Sequence, residues 1–216
     1  MSEVSRARDL VALHARSIFD RGLTHGSSGN ISVRLSDGSL VVTPTGSSMG
    51  FLDPARISHI AAEGHLLSGD APTKEMPLHA AFYDSRQGTG AVVHLHSCHS
   101  TALTLLPDVD SENVLPPLTA YSVMLLGKVK LLPFYLPGDP MIGEAIRGLA
   151  GKRSAVLLAN HGPVVAGKDL MAAINAMEEM EATARLAILL RGIAVNKLTD
   201  EQVGQIVDRF AVQWDD

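Results

Sequence analysis

Apolar positions along the chain change period several times, and each change marks an element. Val4, Leu10, Val11, Leu13, Ile18 and Phe19 approximate one helical face, with Arg6, Arg8, Arg16 and Arg21 mostly opposite. That spacing predicts an amphipathic helix over 4–22, ended by Gly22. Ile31-Ser32-Val33-Arg34-Leu35 alternates as a half-buried strand does, and Ser36-Asp37-Gly38 turns it back into Leu40-Val41-Val42-Thr43. A second hairpin is expected from 57–62 and 65–67 around Glu63-Gly64, with His59 and His65 exposed on it. Met76, Leu78, Ala80, Ala81, Phe82 and Tyr83 give the buried part of a helix over about 74–86.

In the second half, Ala91-Val92-Val93 leads a buried strand, and a short helix over 97–106 stops before Pro107. Short strands are expected around Tyr121-Ser122-Val123-Met124 and again from Val129 to Leu132. Asp139 and Pro140 occupy N-cap and first-turn positions of a helix running to about Leu149. Val156-Leu157-Leu158-Ala159 reads as a fully buried strand, with Val164-Val165-Ala166 as its return. Asp169 caps a long helix to about Arg191, and Thr199-Asp200-Glu201-Gln202 is a capping box for a last helix to about Phe210. No repeat or linker interrupts the pattern, so residues 1–216 are expected to form a single α/β domain with helices covering the sheet.

Composition narrows the setting. The 216 residues are 46% hydrophobic and 19% charged, with a formal net charge of −5 and the two signs interspersed. No basic stripe suggests a nucleic-acid or anionic-membrane partner. The apolar runs are too short or too interrupted to span a bilayer, and the residues after Met1 lack the apolar core of a secretion signal. The single Cys98 excludes an intrachain disulfide and suits a reducing compartment, so the expected location is cytoplasmic.

Histidine placement brings in chemistry. His94 and His96 are two apart at the end of a buried strand, which puts both imidazoles on one face. His161 likewise leaves an apolar strand, just before Gly162. Strand ends carry polar residues simply because they leave the core, but two such exits favour a metal site, provided both strands share a sheet. A cupin would need a glutamate soon after His-x-His, and 97–102 offers none. An amidohydrolase barrel would need a longer chain. Glu75, at a helix start, and His79, one turn on, are ordinary structural choices by themselves. The loops 26–30 and 43–50, with Thr73 and Lys74, offer amides, hydroxyls and an ammonium that suit a phosphate or carboxylate. Nothing around Lys74 suggests the apolar pocket of a Schiff-base lysine.

Together these residues resemble the class II aldolase/adducin family over about 5–190. The resemblance rests on Gly26-Ser27-Ser28-Gly29-Asn30-Ile31-Ser32, Thr43-Pro44-Thr45-Gly46, Thr73-Lys74-Glu75, His94-Leu95-His96 and Asn160-His161-Gly162. It implies a three-layer α/β/α sandwich around a central, mostly antiparallel sheet. It implies His94, His96 and His161 as ligands of Zn2+, with Mn2+, Co2+ or Fe2+ also suited. Glu75 becomes the acid/base, and Asn30, Thr45, Gly46, Thr73 and Lys74 fall where the family binds substrate phosphate. A homotetramer with sites at subunit boundaries is implied as well, and Tyr121 is the candidate acid from a partner subunit. The family's aldolases tend to carry Ser-Ser before the glutamate, and this chain carries Thr73-Lys74. That form is similar to the branch that decarboxylates a four-carbon 3-oxo sugar acid phosphate to dihydroxyacetone phosphate through a metal-stabilised enediolate. The alternatives are a sugar-phosphate aldolase or 4-epimerase and, more remotely, a non-enzymatic adducin-like module.

Overall fold

The strand alternation resolves into one sheet with an apolar layer on each face. A computed structural model describes residues 1–214. Helix α1 (Glu3–Asp20) leads to strands β1 (Asn30–Arg34), β2 (Leu40–Val42), β3 (Ser58–Ile60) and β4 (Leu66–Ser68). Helix α2 (Met76–Ser85), strand β5 (Ala91–His94) and helices α3 (Cys98–Leu103) and α4 (Ala120–Leu126) follow. Then come strand β6 (Lys130–Leu132), helix α5 (Pro140–Gly148), the hairpin of β7 (Ala155–Leu158) and β8 (Gly162–Gly167), and helices α6 (Leu170–Leu189) and α7 (Asp200–Phe210).

The strands lie in the order β4-β3-β2-β1-β5-β8-β7-β6. Every neighbouring pair is antiparallel except β6 and β7. Successive residues of a strand face opposite ways, so β5 sends Val93 into one core and Val92 into the other. The first core joins Ile31, Val93, Leu157 and Val165 to Val11 and Ile18 of α1 and Met177 and Met180 of α6. The second joins Val92, Val156 and Val164 to Leu78 and Phe82 of α2 and Ile142 and Ile146 of α5. This is the three-layer α/β/α arrangement expected from the resemblance, with a mostly antiparallel sheet. No helix among the described residues is long and apolar enough to cross a membrane.

Caps act where the sequence places them. Asp139 accepts from the Met141 amide at 2.9 Å, Asp169 from Ala172 at 2.8 Å, and Thr199 and Gln202 close the capping box of α7. Two expectations are corrected. Tyr121-Ser122-Val123-Met124 is not a strand but lies within α4: Thr119 Oγ1 accepts from the Ser122 amide at 3.1 Å, and Gly127 ends the helix at φ 64°. Its buried residues Ser122 and Val123 lie about a turn from Leu126 on one side of the helix, and packing against the rest of the fold outweighs the local β preference of Tyr and Val. His59 is half-buried rather than exposed, because its Nε2 lies 3.0 Å from Ser39 Oγ on the neighbouring turn. His65, just before β4, is exposed as expected.

The α4 cap gives a direct test. Thr119→Ala removes the acceptor for the Ser122 amide and should cost about 0.5–2 kcal/mol, read as a lower urea midpoint with unchanged slope.

Candidate metal centre and its cleft

Antiparallel register assembles the site. Asn30 of β1 lies opposite His94 of β5, and His94 lies opposite Val164 of β8. His96 is two residues beyond His94 and keeps its face. The connection from β7 to β8 is only Ala159-Asn160-His161, with Asn160 at φ 56°, so His161 is delivered straight back to β5. Gly162 follows where a Cβ would lie 2.3 Å from the Leu95 carbonyl oxygen, so only glycine allows that approach. On the other side, the segments 43–45 and 71–73 pair through Thr73 N–H to Thr43 O at 3.1 Å and Thr45 N–H to Ala71 O at 3.0 Å. That pairing brings Thr45 and Gly46 beside Thr73 and Lys74 and sets Glu75 at the N-terminus of α2.

One ligand atom from each of Glu75, His94, His96 and His161 lies within 4.8 Å of all the others. His94 Nε2 is 3.1 Å from His96 Nε2 and 3.3 Å from His161 Nε2. Glu75 Oε2 is 3.4 Å from His94 Nε2, and Oε1 is 3.4 Å from His161 Nε2. The tautomer of His94 follows from its far side, where Nδ1 lies 2.8 Å from the Pro163 carbonyl. A carbonyl only accepts, so Nδ1 carries the hydrogen and Nε2 points a bare lone pair into the cluster. Burial and the neighbouring imidazoles hold His94 well below the usual imidazole range, and burial brings His96 down to about 4. Burial also lowers His161, although Glu75 opposes it. Neutral rings whose lone pairs converge beside a carboxylate oxygen without a hydrogen-bond partner (Glu75 Oε1) are a donor set that fits a shared divalent cation.

The cluster floors a cleft of ≈ 400 Å³. Thr45, Gly46, Thr73, Lys74 and Asn30 all line it, as do the loop from His25 to Gly29 and Pro137. His25 and Pro137 were not singled out from sequence; a loop residue and a turn proline carry no local signal of facing a ligand. Lys74 is exposed on the wall, while Thr73 and Glu75 are buried. Asn30 sits differently from a free phosphate donor: its amide Nδ2 donates to Glu75 Oε2 at 2.7 Å, and its Oδ1 meets His79 Nε2 at 2.5 Å. Tyr121 is not in this cleft. It is 63% exposed on α4.

Fold and cluster together define an α/β protein in which three histidines and one carboxylate form a centre beside an anion-suited cleft. The chain belongs to the Class II Aldolase and Adducin N-terminal domain family, whose match covers residues 9–188. It is 49% identical over 192 residues to a 3-oxo-tetronate 4-phosphate decarboxylase of Escherichia coli K12, covering 89% of this chain and 91% of that one. An L-fuculose phosphate aldolase of Methanocaldococcus jannaschii is 34% identical over 176 residues, 81% of this chain and 91% of that one. The crystal structure of YgbL from Escherichia coli superposes with a TM-score of 0.92 at 45% identity, covering 95% of this chain and 99% of that one.

The depressed imidazoles make the metal-free protein sensitive to acid. In the unfolded chain a histidine takes up its proton near 6.5, whereas folded His96 resists until about 4. The unfolded state therefore gains protons first, so this contribution to stability is complete above 6.5 and is lost as pH falls toward 4. Urea midpoints of metal-stripped protein should drop across that window, and His96→Asn should shallow the drop. An identical pH dependence in the variant would count against it.

Proposed function

We propose that this chain is a metal-dependent carboxy-lyase that decarboxylates 3-oxo-tetronate 4-phosphate to dihydroxyacetone phosphate and CO2, working as a single domain. The observation that carries this reading is the convergence of Glu75, His94, His96 and His161 beneath a cleft walled by Thr45, Gly46, Thr73 and Lys74. The identity with the Escherichia coli decarboxylase supports the choice of substrate.

A divalent cation on the three imidazoles, zinc first among those this donor set suits, supplies Lewis acidity to the adjacent oxygens of the substrate. The protein's own groups do the rest. Amides and hydroxyls of the 26–30 loop, Thr45, Gly46 and Thr73 take the phosphate. The Lys74 ammonium offers a partner for the carboxylate, a second anion that a sugar phosphate without a carboxyl group lacks. As the bond from the carboxyl carbon breaks, its electron pair moves toward the C3 oxygen. Protonated Glu75 then delivers a proton to C2, completing the hydroxymethyl group of the product. The same reading makes the working form a cytoplasmic homotetramer, in which Tyr121, exposed on α4, serves a neighbouring subunit's site as an acid. Aldol cleavage of a sugar phosphate is the second reading, favoured by the 34% identity with the fuculose phosphate aldolase. An interaction module without catalysis fits poorly, because all three histidines and Glu75 are in place.

A coupled assay for dihydroxyacetone phosphate and CO2 from 3-oxo-tetronate 4-phosphates should show turnover, with little cleavage of fuculose phosphate. Activity on the aldol substrate alone would replace the first reading with the second. Lys74→Ser should reduce decarboxylation far more than any aldol cleavage; equal losses would remove the carboxylate role of Lys74. His94→Ala, His96→Ala and His161→Ala should each abolish activity and strip metal in elemental analysis while circular dichroism stays native. Collapse of the folded signal would instead indicate a structural metal.

A further inference from the structure

Behind Glu75, the face of β1 under α2 carries a line of buried polar groups beside the apolar residues of that layer. Asn30 and Ser32 are two apart on β1, while His79 and Tyr83 are four apart on α2, so a strand spacing meets a helix spacing on facing surfaces. The contacts run without a gap. Asn30 Nδ2 donates to Glu75 Oε2 at 2.7 Å, and His79 Nε2 lies 2.5 Å from Asn30 Oδ1. Ser32 Oγ lies 2.7 Å from His79 Nδ1 and 2.9 Å from the Tyr83 hydroxyl. His79 and Ser32 are 0% exposed, Asn30 and Glu75 5%, and Tyr83 6%.

The direction of every bond follows from one end. Without a proton of its own, Oε2 can only accept, so Asn30 turns its NH2 to Glu75 and its carbonyl to His79. His79 Nε2 must then carry the hydrogen. Burial brings the His79 ring down to about 3, so it is neutral and its Nδ1 is bare. Ser32 donates to that Nδ1 and accepts from Tyr83 in turn. The opposite polarity would require a proton on Oε2. The other carboxyl oxygen, Oε1, has no hydrogen-bond partner and faces His161.

We propose that His79 is a positioning residue: through Asn30 it holds Oε2 of Glu75 as a pure acceptor, leaving Oε1 as the oxygen that exchanges the proton with the substrate carbon. In each turnover the Oε1–H bond breaks as the carbon–hydrogen bond forms, and water returns the proton to the carboxylate. The proton-transfer half rests on the lyase reading above; the polarity of the chain does not.

Two measurements on the zinc-loaded, full-length protein test it. Histidine 15N NMR should show His79 protonated at Nε2 and bare at Nδ1 throughout neutral pH. The opposite tautomer or an imidazolium overturns the proposal, whatever the substrate. In kinetics, His79→Leu should lower kcat about 10- to 100-fold through misplacement of Glu75, with KM and metal content unchanged. His79→Gln, whose amide still donates to Asn30, should recover most of that loss. Equal loss in both variants, or a loss carried by KM or by metal content, overturns the positioning role. Wild-type protein that releases no CO2 from 3-oxo-tetronate 4-phosphate removes the lyase reading, and the tautomer then decides the polarity by itself.

Discussion

Three antiparallel strands at the centre of the sheet, β1, β5 and β8, share one register, and the rest of the site depends on it. Asn30, His94 and Val164 stand side by side on the face under α2. A slip of one residue in either pairing would send His94 into the other core, because side chains alternate across a strand. The register is secured by the apolar residues between the polar ones. Ile31, Val93 and Val165 all enter the opposite layer beneath α1 and α6. The fold therefore holds its chemical groups by means of residues that have no chemistry.

Burial gives the site its electrostatic character. Imidazoles removed from water resist protonation and stay available as ligands, and a buried carboxylate needs partners for both oxygens. One oxygen of Glu75 has Asn30, and the other faces the histidine cluster. The backbone carries a matching constraint, since Gly162 is the residue that lets the β8 strand press on the Leu95 carbonyl and bring His161 home. Stability resides in the two large apolar layers, so the polar cluster is free to be arranged for binding.

The legible parts were those with a local cause. His94 and His96 announced themselves by strand parity, and the helix ends by Asp139, Asp169 and Thr199, each of which caps in the structure. Helix α4 was not legible, because Tyr121-Ser122-Val123-Met124 has β-like side chains and its helical state comes from a cap at Thr119 and from packing. Nor was the role of His79. A buried histidine on a helix looks like an ordinary core residue until a strand bearing Asn30 and Ser32 is laid against it. The two spacings were present in the sequence, but nothing local said that these surfaces face each other.

Taken alone, the sequence determined the family, most of the alternation of elements and the candidate residues. Each of these depends on residue type and short-range spacing. Only the tertiary structure decided that residues as far apart as 30, 75, 94 and 161 meet within a few ångströms, and which nitrogen of each ring faces inward. It also decided that Asn30 turns toward Glu75, and that Tyr121 lies outside the cleft of its own chain. The physical reason is that His94-Leu95-His96 specifies a face of one strand, whereas the identity of what stands opposite is set by sheet order and register, which arise from long-range packing.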